Sequence, residues 1–276
     1  MSAHKSDKEL AFLRDLYVSS DWGERFAELI DEHVVLPKKG RVLYVAAGTG
    51  GHALALLERA ASAAVTLIGV DESEESAELA RAKTAATKVR HQVEFHRGQI
   101  EALGFADDQF DLVIGDASLI NAERLPQMLA EMVRVAAPGA TIALTLASAG
   151  SFGEFFSIYW EALDKVHLEG HEHDVEALIT ELPTASTVEE MAAREGLASV
   201  ESWTKLEEFD FASGEEFLRA PLVADFLLET WLAALPDERA RASTVDEITR
   251  IIDDERSDMD FALSVKATLV VGRKEE

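Results

Sequence analysis

A loop containing three glycines, directly after an apolar run, is the part of this sequence best suited to hold a ligand. Residues 41–45 are a β-prone run, the loop occupies 46–51, and apolar residues return at helical spacing over 53–57. Glycines let a backbone approach a ligand closely, and the first N–H groups of a helix are free to donate to its polar atoms. This arrangement predicts a site for a nucleotide-like ligand. The loop residues predicted to contact it are Ala46, Ala47, Gly48, Thr49 and Gly50.

An aspartate at the end of the next apolar run is the second candidate contact. Residues 65–70 end in Asp71, roughly 20 residues beyond the loop, where dinucleotide-binding proteins place a ribose-binding acid. A carboxylate at this point can accept both hydroxyls of a ribose. The alternative is that Asp71 only closes a turn. Together, the loop and the acid predict a site for a cofactor that carries a nucleoside.

Two further groups of polar residues have an ordinary structural interpretation beside the functional one. Asp116 ends the apolar run 111–116, at the sheet edge where ligands bind, but it could equally be a solvated turn acid. His167, His171 and His173, beside Asp174, could bind a metal ion or supply a base. The sequence favours a polar turn for this histidine group, so no metal site is predicted, and no catalytic residue is assigned.

Aromatic residues also allow two interpretations. The run from Phe152 to Trp160 predicts either a hydrophobic core or one wall of an acceptor pocket. Tyr17 and Trp22 are either core residues or part of a lid whose electron-rich rings face a cation.

The composition limits the classes of partner. Fifty-two acidic residues against 26 basic ones give a net charge of -26 over 276 residues, which repels nucleic acids and anionic membrane surfaces. The chain has no cysteine, and no apolar run approaches the ~20 residues of a membrane span. We therefore expect a cytoplasmic protein that acts on small molecules, with no nucleic-acid or membrane partner. The composition does not determine the assembly, for which a homodimer is one possibility.

The order of elements predicts an α/β fold. Strands are expected at 41–45, 65–70, 93–96, 111–116 and 141–146, with helices at 73–86 and 125–136 between them and a Pro138–Gly139 turn before the fifth strand. Such alternation is typical of a parallel sheet with helices on both faces.

The two ends of the chain depart from this alternation. Residues 1–37 are predicted to form a lid of two helices, which are separated at Ser20–Asp21. Residues 38–276 are predicted to form one domain with a helical insert at about 214–256, between strands at 200–211 and 261–271. The fold class is thus a Rossmann-like, doubly wound, mostly parallel seven-stranded sheet with N-terminal helices and an insert before the last strand.

At this point the chain resembles the class I S-adenosylmethionine-dependent methyltransferases, in particular their type 11 small-molecule branch, which includes quinone-biosynthesis C-methyltransferases. The matching segments, in order along the chain, are 42–51, Asp71, 98–105, 110–114 and 131–139. The resemblance implies S-adenosylmethionine as cofactor, bound by the loop and Asp71. Further contacts implied in the same way are Glu72, Gln99, Ile100, Asp116 and Ala117.

Three positions depart from the pattern of this family. Tyr44 stands where the family usually has an acid, and Ala46 where it usually has glycine. Gln99 replaces an aspartate, although its carbonyl oxygen can still accept from an adenine amino group. We predict methyl transfer to a small-molecule acceptor. The alternatives are an NAD(P)-dependent oxidoreductase, since the loop also fits a relaxed dinucleotide motif, and a catalytically silent cofactor-binding protein.

Overall fold

A computed structural model describes residues 5–60, 64–90, 92–168, 170–255 and 260–275. It consists of two compact units. The first comprises Met1–Leu146, Ala185–Thr204 and Ala267–Glu276, and the second comprises Ala147–Thr184 and Lys205–Lys266. Residues 1–4 of the predicted lid and residue 256 of the predicted insert lie outside the described residues. The N-terminal helices fall in the same unit as residues 38–146. The predicted domain boundary at residue 37 stays a prediction.

The sheet has seven strands in the order β3-β2-β1-β4-β5-β7-β6. Its strands are β1 Gly40–Val45, β2 Val65–Asp71, β3 Val93–Arg97, β4 Phe110–Asp116, β5 Ala136–Ala147, β6 Leu197–Phe211 and β7 Phe261–Lys274. The pairs β1–β2, β1–β4, β2–β3 and β4–β5 are all parallel. The strand order reverses direction between β1 and β4, and in open α/β sheets ligands bind outside the carboxyl ends at this point. The predicted fold class is confirmed.

Eleven α-helices connect and flank the strands in the described chain. They are α1 Asp7–Leu13, α2 Glu24–His33, α3 Gly51–Arg59, α4 Glu74–Ala85, α5 Leu125–Val135, α6 Gly153–Lys165, α7 Glu172–Glu181, α8 Ala185–Arg194, α9 Gly214–Arg219, α10 Leu228–Trp231 and α11 Glu238–Glu255. Among these helices, none has both the length and the apolar character that a membrane span requires.

The N-terminal region corrects one expectation. The predicted break at Ser20–Asp21 is wrong, because helical backbone continues from α1 to α2 through a π-helical segment, Arg14–Gly23. The two residues expected to cap a new helix bond along the existing one instead. The Ser20 hydroxyl donates to the Leu16 carbonyl at 2.7 Å, and Asp21 pairs with Arg25 at 2.9 Å.

The start of β5 corrects a second expectation from the sequence. Pro138 and Gly139 were expected to form a turn before the strand, whereas β5 already begins at Ala136. The two residues lie inside the strand at an irregularity, where Gly139 has a φ of +78° and the register against β4 shifts between Phe110 and Leu112. A bulge of this kind uses the same residue types as a turn, so the sequence alone does not separate them.

The core of the first unit lies on both faces of the central strands. Leu43, Val113 and Ile142 are each at most 1% exposed, and Met132 of α5 is fully buried beside them. Parallel strands covered on both faces are apolar at nearly every position. The core therefore leaves polar chemistry to the carboxyl ends of the strands and the loops that follow them.

The second unit is held together by aromatic rings. Phe155 stacks on Trp231 with ring centroids 4.2 Å apart, and it also contacts Tyr159 and Phe217. All four side chains are at most 5% exposed. Trp160, which is 37% exposed, is the exception within the aromatic run. Of the two interpretations of this run, the structure shows the hydrophobic core.

Candidate functional site

A cavity of about 610 Å³ lies beside the loop after β1, within the size range of small-molecule sites. Its lining residues all belong to the first unit. They come from the N-terminal helical segment, the β1–α3 loop, α3 and the start of the β4–α5 connection, together with Tyr44 of β1, Lys83 of α4 and Asp116 of β4. The cavity opens at the carboxyl ends of β1 and β4, where the strand order reverses. The tertiary structure thus brings the N-terminal segment to the predicted site.

The loop owes its shape to three residues with positive φ. Ala46 has φ +55°, Gly48 +56° and Gly50 +77°. A Cβ on Gly50 would lie 2.7 Å from the ring of Phe95, so glycine is required there for space as well as for conformation. A Cβ on Gly51 would meet nothing within 4 Å, and Gly51 lines the cavity at the N-terminus of α3. Free helix N–H groups therefore face ligand-sized space.

Asp71 closes the other side of the loop. Its carboxylate is 5% exposed and accepts the Gly48 N–H at 2.7 Å and the Ser73 N–H at 3.0 Å. A carboxylate offers about four lone-pair sites, and these two amides use two of them. Asp71 itself is not among the residues that line the cavity. The Arg14 guanidinium lies 3.6 Å from Asp71 and also against Gly48. Asp71 therefore has a structural role in the loop in addition to its predicted binding role.

The other predicted contacts separate into those at the cavity and those elsewhere. Four of the eleven predicted residues line it, namely Ala47, Gly48, Thr49 and Asp116. Ala46, Ile100 and Ala117 are at most 4% exposed and belong to the hydrophobic core. Gln99 is exposed and forms a short bridge with Ala102. The structure thus places the adenine-segment residues outside this cavity.

Glu72 is held by a partner that sequence reasoning missed. Arg124 donates to both Glu72 oxygens, at 2.7 and 2.9 Å, and also to Glu101 at 2.8 Å. The hydrogen bonds from Arg124 lower the pKa of Glu101 despite the opposing effect of desolvation. Arg124 lies 52 residues from Glu72 in the chain, so no local pattern indicated the pair.

The N-terminal segment contacts the loop through a second group of polar residues that the sequence did not indicate. Asp15 accepts a hydrogen bond from the Thr49 hydroxyl and pairs with Lys83, whose Nζ lies 3.2 Å from Thr49 Oγ1. Trp22 lines the cavity while being 1% exposed, and its Nε1 donates to the Ser118 hydroxyl at 3.0 Å. Tyr17 is 57% exposed. Of the two aromatic residues considered for a lid, the cavity wall contains Trp22.

A chain of hydrogen bonds connects β1, α3 and α2 along the same cavity. Tyr44 Oη lies 2.9 Å from His52 Nδ1, and His52 Nε2 lies 3.0 Å from Asp31 Oδ1. Arg59 pairs with the same Asp31 carboxylate. Tyr44 occupies the position that departs from the family pattern, and the structure shows that its hydroxyl is part of a polar network.

Burial and neighbouring charges set the protonation of the two ends of this hydrogen-bond chain, Tyr44 and Asp31. Burial, and then the charges of Asp116 and Asp31, raise the pKa of Tyr44 well above its ordinary value. For Asp31, desolvation by burial favours the neutral acid, but hydrogen bonds from His52 and Arg59 outweigh it and lower the pKa. At neutral pH the phenol is therefore protonated and the aspartate is ionised.

Comparisons with known proteins agree with this geometry. Residues 42–139 match the family described as "Methyltransferase domain". The Ubiquinone/menaquinone biosynthesis C-methyltransferase UbiE of Geotalea daltonii is 35% identical over 120 residues, which cover 44% of this chain and 51% of the relative. The chain thus spans about half the length of the curated relatives that it matches.

Residues 42–139 form a class I S-adenosylmethionine-dependent methyltransferase domain. The match confirms the predicted methyltransferase class for residues 42–139, and the type 11 branch stays a prediction. Solved structures extend the likeness of the fold to nearly the whole chain. The YcgJ protein from Bacillus subtilis superimposes with a TM-score of 0.60 at 18% identity, covering 92% of this chain and 99% of its own. Phosphoethanolamine N-methyltransferase 2 of Haemonchus contortus, in complex with S-adenosyl-L-methionine, gives 0.56 at 16% identity, covering 98% of this chain and 58% of its own.

The residues of this methyltransferase domain fit its cofactor, S-adenosylmethionine. The cavity volume suits a ligand of this size, and Gly51 leaves room for it at the N-terminus of α3. Asp71 retains acceptor capacity for ribose hydroxyls, and the acidic side chains of the cavity complement a sulfonium and an ammonium group. The loop residues that line the cavity, Ala47, Gly48, Thr49 and Gly51, would hold the cofactor, with Asp71 behind them. It supplies, when bound, a methyl group activated by its sulfonium leaving group.

The histidine group of the second unit has its own internal pairing. His171 Nδ1 lies 2.7 Å from Asp174 Oδ2, and His173 Nε2 lies 3.0 Å from Asp174 Oδ1. His173 is a mostly exposed side chain. In the described part of the chain, no group of three or more His, Cys, Asp or Glu side chains could hold a metal ion. His171 directly precedes α7, and His173 and Asp174 lie in its first turn, so the segment begins a helix where the sequence favoured a polar turn.

Proposed function

We propose that this protein transfers a methyl group from S-adenosylmethionine to a small-molecule acceptor. The observation that carries the proposal is the 610 Å³ cavity, which borders the glycine loop of the methyltransferase domain. Methyl transfer is an in-line displacement at an activated carbon, so the protein must chiefly align the acceptor and exclude water. A cavity beside the cofactor loop offers the space in which an acceptor can be aligned with the methyl group.

The lining of the cavity suggests the chemical class of the acceptor. Acidic side chains outnumber basic ones by five to three: Asp15, Glu24, Glu28, Asp31 and Asp116 against Arg14, Arg59 and Lys83. Val18, Trp22 and Ala27 add apolar surface. We infer a neutral or cationic, partly hydrophobic metabolite, because an anion would meet net negative charge. Nucleic acids are disfavoured for the same reason, given the net charge of -26.

The names of similar proteins cover different acceptor atoms. The UbiE relative is named a C-methyltransferase of quinone biosynthesis, and the Haemonchus structure is that of an N-methyltransferase. Both chemistries belong in an acceptor screen that includes hydroquinones, phenols and primary amines. A cytoplasmic location and a homodimer are further parts of the proposal, to be checked by cell fractionation and by light scattering.

Calorimetric titration with S-adenosylhomocysteine and, separately, with NAD tests the cofactor assignment. We expect micromolar affinity for S-adenosylhomocysteine, which at ~100 times its Kd adds ~2.7 kcal/mol of stability. Binding of NAD alone would favour an oxidoreductase. If neither ligand raises the melting temperature, the cofactor assignment is refuted. Transfer of a radiolabelled methyl group to the screened acceptors then tests the activity itself.

A further inference from the structure

Asp31, His52 and Tyr44 are arranged as a directional hydrogen-bond chain. Ionised Asp31 can only accept, so the proton between it and His52 belongs to Nε2. In the neutral tautomer of His52 that carries this proton, Nδ1 is unprotonated and accepts the proton of the Tyr44 hydroxyl. Each link lies within the 2.6–3.2 Å reach that proton transfer requires, and all three residues line the cavity.

Tyr44 cannot act as a base by itself in this setting. Its pKa is raised by burial and by the Asp116 and Asp31 carboxylates, so a free phenolate would be costly. It can accept a proton only if it releases its own to His52 in the same event. The resulting imidazolium would lie against Asp31, which Arg59 holds in place from α3. This logic resembles that of a serine, histidine and aspartate triad, in which the acid orients the histidine.

We propose that Asp31, His52 and Tyr44 form a proton relay for the acceptor, an inference that rests on the proposed methyl transfer. As the acceptor atom takes the methyl group, its own bond to hydrogen breaks and the proton passes to Tyr44 Oη. The Tyr44 O–H bond breaks in turn, and that proton passes to His52 Nδ1. The positive charge lost by the sulfonium reappears on the imidazolium, so charge and atoms balance.

The charged groups around the relay come from every element packed against it. Asp116 of β4 and Asp31 of α2 influence Tyr44, and Arg59 of α3 pairs with Asp31. The remaining charged side chains that line the cavity are Arg14, Asp15, Glu24, Glu28 and Lys83. Because Asp116 is a second carboxylate near Tyr44, it is the rival base that the experiment must separate.

The decisive measurement is the tautomer of His52 in the full chain without ligand. Protein labelled with ¹⁵N at histidine gives two-bond ¹H–¹⁵N correlations, and His52→Gln assigns the signals of this residue among the eight histidines. We expect the Nε2–H tautomer at pH 7.5, with an Nδ1 signal that moves in Tyr44→Phe. A proton on Nδ1 at this pH, whether as the other tautomer or as imidazolium, would overturn the relay, since Nδ1 could not accept.

Two variants then separate the relay from Asp116. With an acceptor from the screen that loses a proton, Tyr44→Phe should lower kcat by about 100-fold, while KM and S-adenosylhomocysteine affinity change less than threefold. Asp31→Asn should lower kcat in the same way, and Asp21→Asn, on the same helical segment with an exposed pair to Arg25, is its matched control. An unchanged kcat in Tyr44→Phe would overturn the relay. Failure to bind S-adenosylhomocysteine would instead refute the proposed function, and the tautomer would still be measurable.

Discussion

The cavity of the first unit and the aromatic cluster of the second use burial in opposite ways. In the cavity, the buried polar groups of Tyr44 and Asp71 are hydrogen-bonded into networks. In the cluster, the Tyr159 hydroxyl is buried with no hydrogen-bond partner among the described atoms, and burial raises its pKa to about 12. An unpaired buried hydroxyl costs stability, whereas a paired one is held in a set position.

This difference shows where chemistry resides in the chain. An aromatic run and a histidine group drew attention to the second unit, yet its rings pack on one another as a core. The cavity recruits single residues from distant positions, such as Asp31 and His52, that belong to no recognisable motif. Polar pairing within a cavity is thus the better guide to function, and each prediction below tests one side of this contrast.

The largest expected effect is on the aromatic cluster. Phe155→Ala removes a fully buried ring that contacts four other aromatic rings, and should lower the free energy of unfolding by about 3–5 kcal/mol. Urea unfolding followed by tryptophan fluorescence measures the change. Ile179→Ala, which truncates a side chain 46% exposed in the same unit, is the control and should stay within ~0.5 kcal/mol. A loss below ~1 kcal/mol for Phe155→Ala would mean that the cluster is not the core of its unit.

The next largest effect is on cofactor binding. Asp71→Ala removes the acceptor proposed for the ribose hydroxyls and should weaken S-adenosylhomocysteine binding by about 1–3 kcal/mol, measured by calorimetry. Since Asp71 also accepts the Gly48 and Ser73 amides, Asp71→Asn, which keeps one oxygen, should lose less. Glu94→Ala, at an exposed position of β3, is the control. Equal affinity in parent and Asp71→Ala would restrict Asp71 to a structural role.

A smaller effect of opposite sign is expected at the loop. Ala46 has φ +55°, a conformation that costs a residue with a Cβ about 1–2 kcal/mol. Ala46→Gly should therefore stabilise the protein by about 0.5–1 kcal/mol after the entropy cost of glycine is subtracted. Thermal and urea unfolding check this, and Ala53→Gly, inside α3, should destabilise. A destabilising Ala46→Gly would show that packing of the methyl group outweighs the strain.

The smallest expected effect is on the free energy of unfolding at acid pH. Asp31 has a lowered pKa in the folded protein, so its contribution is fully present above the pKa of the unfolded chain and is lost as pH falls through the lower, folded value. The difference in unfolding free energy between parent and Asp31→Asn should therefore shrink below pH ~4. Urea unfolding between pH 6 and 3 measures it, with Asp21→Asn as the reference. A difference that stays constant with pH would contradict the lowered pKa.

Local sequence was enough to predict most of the fold. Hydrophobic period and glycine placement predict the strand–loop–helix at residues 41–57, the acid at Asp71 and the succession of strands along the chain. They do so because they express short-range backbone preferences. Two local predictions were wrong, the helix break at Ser20–Asp21 and the turn at Pro138–Gly139. In both, residue types typical of caps and turns also suit a side chain bonded along a helix and a bulged strand.

The sequence by itself determined the α/β fold, the cofactor loop and a net negative charge that disfavours nucleic acids as partners. Only the tertiary structure decided the partners of the site. It brings Asp31 to His52 across 21 residues, Asp15 to Thr49 across 34, and Arg124 to Glu72 across 52. Such pairs depend on how distant elements pack, and periodicity carries information only about neighbours along one helix or strand. Ala46, Ile100 and Ala117 illustrate the same point, since packing places their side chains in the core, while the ligand contacts that motif position suggested stay predictions.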